Sequence, residues 1–118
     1  MRSKYGVRND EQGKRERTRD GILFASKREA ERYQELRMLE KAGEIVGLAL
    51  QPVFMLSAVG FRGEQCSEDI GKYRADFVYC DRNGHPTYED VKGFDTPLSK
   101  WKRKHVKAQY GIDVVIVR

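Results

Sequence analysis

Runs of alternating and of continuous apolar residues, separated by glycine, proline and clusters of charge, divide this chain into recognisable segments. Gly21-Ile22-Leu23-Phe24-Ala25 is a short extended stretch that delivers the chain to a helix. Ser26 suits the N-cap, Glu29 completes a Ser-x-x-Glu capping box, and Gly43 stops a helix that runs to about Ala42. Tyr33, Leu36 and Leu39 form its inward stripe. Residues 44–57 are strand-like, with Ile45, Val46, Leu48, Leu50, Val53, Phe54, Met55 and Leu56. Pro52 interrupts them, which predicts either an edge strand or a break between two strand segments. Residues 60–72, polar and carrying three glycines, read as a loop.

Residues 73–92 read as a β-hairpin, with strands over 73–80 and 85–92 and Asp81-Arg82-Asn83-Gly84 between them. Asp90 and Lys92 are two apart and so share a face. The position of Asp76 depends on the turn. A two-residue Asn83-Gly84 loop would put Asp76 opposite Val91, on the other face from Asp90. A three-residue loop closing on Asp81 and His85, with Gly84 left-handed, sets Asp76 directly across from Asp90. Asp81 favours the start of a type I turn, so the second register is the working one.

After the hairpin, Asp95 or Thr96 caps a helix with Pro97 in its first turn and Gly111 at its end. Leu98, Trp101, His105 and Ala108 mark the stripe expected to be buried. His105 there reads as a packed or half-exposed side chain rather than a catalytic one. Ile112-Asp113-Val114-Val115-Ile116-Val117 makes a last strand, apolar enough to be central or parallel. The order of helix, strands, hairpin, helix and strand predicts an α/β fold with a mixed central sheet flanked by two helices.

Composition narrows the partners. The 118 residues suit one domain, and 35% are charged, with a net charge of +5. No apolar run approaches a membrane span and the N-terminus lacks an apolar signal core, so a cytoplasmic protein is expected. Cys66 and Cys80 form no framework or metal-ligand cluster. Residues 1–20 form a basic arm, expected to be flexible, ahead of a core domain over residues 21–118. This arm is either a disordered tail or a phosphate-contacting segment that uses Arg15, Arg17 and Arg19. Lys100, Lys102, Arg103, Lys104 and Lys107 crowd the last helix with no acidic residue among them, which points to a nucleic-acid backbone.

Two facing carboxylates repel unless one keeps its proton or a cation lies between them, and hard divalent cations take such oxygen ligands. A lysine beside them can hold an attacking water or face charge developing on a phosphate. Glu29 shares the inward side of its helix with Tyr33 and Leu36, and is either a helix cap worth about 1 kcal/mol or a third acid aimed at the hairpin. Gln51 is either a surface group at the proline break or an amide lining the site.

Ser26-Lys27-Arg28-Glu29 on the first helix, Ala75-Asp76 on a strand and Asp90-Val91-Lys92 on the next resemble the PD-(D/E)xK nuclease superfamily. The likeness spans about residues 21–117. It is strongest to a small phage-associated branch related to Holliday-junction resolvases, restriction enzymes and the end-cutting nucleases of some transposons. Gln51-Pro52, Lys92-Gly93-Phe94 and Thr96-Pro97 also resemble that branch. Ala75 departs from the superfamily's proline, and the spacing to Lys92 selects Asp90 over Glu89.

The resemblance implies an α-β-β-β-α-β restriction-endonuclease-like core and a metal-dependent DNA endonuclease, acting in the host cell cytoplasm if phage-encoded, with branched DNA or a Holliday junction as a candidate substrate. Asp76, Asp90 and the Val91 carbonyl would bind Mg²⁺ or Mn²⁺, Glu29 would complete the shell through water, and Lys92 would orient the attacking water. Cutting both strands of a symmetrical junction would favour a homodimer. The rival readings are a non-catalytic DNA-binding accessory protein and a nuclease acting on RNA.

Overall fold

The computed structural model describes residues 7–61 and 65–118. In chain order the elements are α1 (Glu11–Glu16), β1 (Thr18–Arg19), β2 (Ile22–Leu23), α2 (Lys27–Lys41), β3 (Ile45–Leu50) and β4 (Val53–Phe61). Then come β5 (Gln65–Arg74), β6 (Phe77–Asp81), β7 (Pro86–Val91), α3 (Pro97–Tyr110) and β8 (Val115–Val117). The fold is mixed α/β. Its four-stranded sheet has the order β3-β6-β7-β8, with β8 parallel to β7 and the other pairs antiparallel. No helix among the described residues is long and apolar enough to cross a membrane.

The expected turn forms. Phe77 pairs with Glu89 and Cys80 with Pro86, Asp81 N–H donates to His85 O at 3.0 Å, and Gly84 N–H donates to Asp81 O. Gly84 takes the left-handed φ of 85° that the loop requires. The same count places Asp76, which precedes Phe77, across from Asp90.

The first strand of the hairpin is shorter than residues 73–80. β5 ends at Arg74 and pairs with β4, whereas β6 begins at Phe77 and pairs with β3. Leu50 pairs with Phe77 and Val53 with Arg74, so the ladder count runs unbroken across both interruptions. Between them Gln51 N–H donates to Asp76 O at 2.9 Å and Ala75 N–H to Pro52 O at 3.0 Å. The proline break and the break at Ala75-Asp76 therefore sit at one level of a single bent ribbon.

The described part of residues 60–72 is strand rather than loop; residues 62–64 lie outside it. Gln65 onwards is strand, paired with β4 from Phe61 back to Val53. Polar side chains suit this ribbon because long stretches of it face solvent, so antiparallel pairing forms without an apolar signature.

Two clusters make the core. Phe24, Ala30, Tyr33, Leu36, Ile45 and Phe77 pack around α2, with Leu36, Ala30 and Phe77 fully buried. Phe54, Leu56, Tyr73, Ala75 and Val106 form the second, around α3. The caps of α2 and α3 form as expected: Ser26 Oγ accepts from Glu29 N–H at 3.1 Å and Thr96 Oγ1 from Ser99 N–H at 3.1 Å. The buried face of α3 is not the one expected. Val106 is fully buried, whereas Leu98 is 58% and Trp101 72% exposed and Ala108 is exposed. His105 is half-buried, its Nε2 lying 2.9 Å from Ser57 O.

From Val7 on, the N-terminal arm carries α1 and β1, the latter paired with β2 at the start of the core domain; residues 1–6 lie outside the described ones. Arg17 organises it. The side chain is 7% exposed, and its guanidinium donates to Phe24 O at 2.9 Å, to Asn9 Oδ1 at 3.2 Å and to Arg8 O. Gly13 passes so close to Arg8 that a Cβ would meet its backbone.

Candidate functional site

The cleft at the end of the β6–β7 hairpin has a volume of about 760 Å³ and is lined by Glu29, Asp76, Asp90, Val91, Lys92 and Phe94, among others. Three elements bring the acids there: the first turn of α2 carries Glu29, the bend before β6 carries Asp76, and β7 carries Asp90. Strand alternation separates Asp90 from Glu89. Glu89 is 2% exposed against α2, where Arg32 grips both carboxylate oxygens at 2.8 and 2.7 Å and Tyr79 O–H also donates. Asp90 is 3% exposed on the other side, accepting from the buried Tyr73 O–H. Lys92 Nζ lies 3.3 Å from Asp90 Oδ2.

Asp76 accepts from Val91 N–H at 2.7 Å. Burial, a side-chain hydrogen bond with Asp90 and the nearby Glu29 charge push its carboxyl up to about 8. Burial and the Asp90 charge also raise Glu29, against a lowering by the Ala25 backbone hydrogen bond. The Glu29 side chain lines the cleft, the place expected of a third acid, and takes a backbone hydrogen bond at Ala25, while Ser26 caps its N–H. Gln51 lines an adjoining pocket of about 270 Å³ together with Glu29 and Asp76.

Residues 2–116 match the model of the family described as "Protein of unknown function (DUF1064)". The chain belongs to the DUF1064 family. No curated protein and no solved structure matches it.

The acids that line the cleft of this DUF1064 chain offer oxygen atoms, the ligand type that hard cations take. Among the described residues no three His, Cys, Asp or Glu side chains are grouped to hold an ion unaided. Mg²⁺ asks for less, since it is held by one or two carboxylates and keeps several waters. Asp76 and Asp90 would be such a pair; the proton affinity of Asp76 is raised first by burial, then by its hydrogen bond with Asp90 and by the Glu29 charge.

The basic residues divide. Lys100 and Lys104 are exposed on α3, and Lys102 is half-buried. Arg103 is turned inward, 14% exposed, paired with Asp95 and in contact with Ser99 at 2.8 Å. Lys107 pairs with Asp113 at 2.5 Å. The acidic partners of α3 thus lie just outside the helix, at Asp95 and Asp113, where its internal sequence does not show them. Arg15 donates to Glu11 O at 3.3 Å, and Arg19 to Glu16 O and Thr18 O. Arg17 and Arg103 are turned into the fold as donors to other protein groups, rather than exposed toward the phosphates expected of them.

Tyr73 is the site residue the sequence did not reveal. Its proton is held above the usual tyrosine range by burial and by Asp90, and Arg103 lies near enough to oppose that. The polar chain Asp95, Arg103, Tyr73, Asp90 therefore links α3 to the cleft. Its signal would have been a tyrosine three residues before Asp76, too common a pattern to single out.

Proposed function

We propose that this DUF1064 chain is a metal-dependent DNA endonuclease with a restriction-endonuclease-like core. The observation that carries the reading is the placement of Asp76 across from Asp90, with Lys92 beside Asp90 and Glu29 facing both from the start of α2. The order α2, β3, β6, β7, α3, β8 supports the α-β-β-β-α-β core, with β4 and β5 as an extension of its first two strands.

Asp76, Asp90 and the Val91 carbonyl would hold Mg²⁺ or Mn²⁺, and Glu29 would reach it through water. Such an ion, when bound, polarises a phosphodiester and lowers the pKa of a water. Tyr73 fixes the Asp90 carboxylate by its O–H, and Val91 N–H fixes that of Asp76, so neither has to be ordered when DNA arrives. Lys92 positions the attacking water and faces the charge that builds on the phosphate. The water oxygen bonds to phosphorus in line with the departing ester oxygen; the ester P–O bond breaks, the water's proton passes to solvent, and the leaving oxygen takes up a proton.

The test is a panel of linear, nicked, flapped and four-way DNA, with RNA of matching sequence, in Mg²⁺ and in EDTA. Cutting of at least one DNA in Mg²⁺ alone is expected. Binding without cutting of any substrate would leave the non-catalytic accessory reading, and cutting of RNA alone would change the substrate.

A further inference from the structure

Phe94, Leu98 and Trp101 are 79%, 58% and 72% exposed, although the helical pattern predicts burial for the last two. Leu98 and Trp101 are three apart on α3 and so adjacent on its surface. Phe94 is at the rim of the acidic cleft. Lys104, three residues beyond Trp101, is exposed on the same side, and Lys100 is exposed nearby. Exposed apolar and aromatic side chains with lysines among them thus follow one another along the chain from the cleft rim at Phe94 onto the outside of α3.

We propose that this strip holds the unstacked bases of a single-stranded nucleic-acid segment leading into the cleft. Bases in a duplex stack on each other and offer no free face, whereas single-stranded bases stack on tryptophan and phenylalanine while nearby lysines hold their phosphates. Charge favours this occupant over a second copy of the chain. A two-fold interface centred on Trp101 would bring Lys100 and Lys104 toward their own copies, whereas a polyanion is attracted by both. The proposal deepens the nuclease reading by naming a substrate with unpaired bases, and it rests on that reading only for where the strand leads.

Trp101 is the sole tryptophan, so its emission reports on the strip directly. The full chain in EDTA is titrated with single-stranded oligothymidylate and with a duplex of equal length. Oligothymidylate should quench Trp101 emission and the duplex should leave it nearly unchanged. Trp101→Ala should weaken oligothymidylate binding, followed by anisotropy of a labelled strand, by about tenfold or more, and Trp101→Phe should restore most of it. Equal quenching by both ligands, or unchanged affinity in a Trp101→Ala protein that melts like wild type, overturns the inference. So does a concentration-dependent dimer that Trp101→Ala abolishes. A wild-type protein that cuts nothing in Mg²⁺ yet shows selective quenching supports the strip and removes the nuclease reading alone.

Discussion

The main-chain N–H of Val91 donates to Oδ2 of Asp76 at 2.7 Å, tying the carboxylate at the bend before β6 to the residue that follows Asp90 on β7. A single contact thus couples the hairpin register to the position of an acid. Any slip of one residue would turn Asp90 to the Glu89 side and break the pair.

Proton affinity gives the first prediction. The Asp76 carboxyl rises from 3.8 to about 8 in the fold, so the native state binds more protons than the unfolded chain across that interval. The stability this proton contributes is full below pH 3.8 and is lost as pH rises through about 8. In EDTA, Asp76→Asn should melt above wild type at pH 9, and the gap should close toward pH 4. Mg²⁺ should raise the wild-type Tm more at pH 8 than at pH 5, where the carboxyl holds its proton. Differential scanning calorimetry across pH checks both.

Neighbouring acids should behave oppositely. Glu89→Ala removes the partner of Arg32, and loss of one member of a buried pair costs about 3 kcal/mol, the low end because Arg32 retains some access to water. Denaturant unfolding should show this loss, with cleavage per folded molecule retained at low temperature. Asp90→Asn should keep most of the stability and lose cleavage.

Gln51 has a φ of 53°, a left-handed conformation that costs a non-glycine residue about 1 kcal/mol. Gln51→Gly should therefore melt at or above wild type while cleavage falls, because the amide beside Asp76 is lost. A lower Tm would instead mean that the side chain holds the bend.

The α3 cations should separate by experiment. Lys100→Ala should lower the salt dependence of DNA binding by about one phosphate contact. Arg103→Ala should lower the Tm and loosen Asp90 through Tyr73, since its guanidinium is turned to Asp95.

Much of the fold is legible because local chemistry fixes it. The caps at Ser26 and Thr96, the stop at Gly111 and the Asp81 to Gly84 turn each leave a short, mechanistic signature, and the turn alone selects the register that sets Asp76 against Asp90. β5 was hidden because its partner strand and ribbon bend, rather than apolar alternation, hold it in place. The face of α3 departs from its sequence pattern for a different reason: its more apolar stripe, through Leu98 and Trp101, faces outward, while Val106 and the inward-turned Arg103 face the core. Burial of Arg17 follows from carbonyls that only the folded arm brings together.

The most direct measurement is nicking of supercoiled plasmid by wild type and by Asp76→Ala and Asp90→Ala proteins, in Mg²⁺ and in EDTA, with folding checked by circular dichroism. The account predicts Mg²⁺-dependent nicking by wild type and a loss of at least about a hundredfold in each variant. Undiminished nicking by a folded Asp90→Ala protein would contradict it.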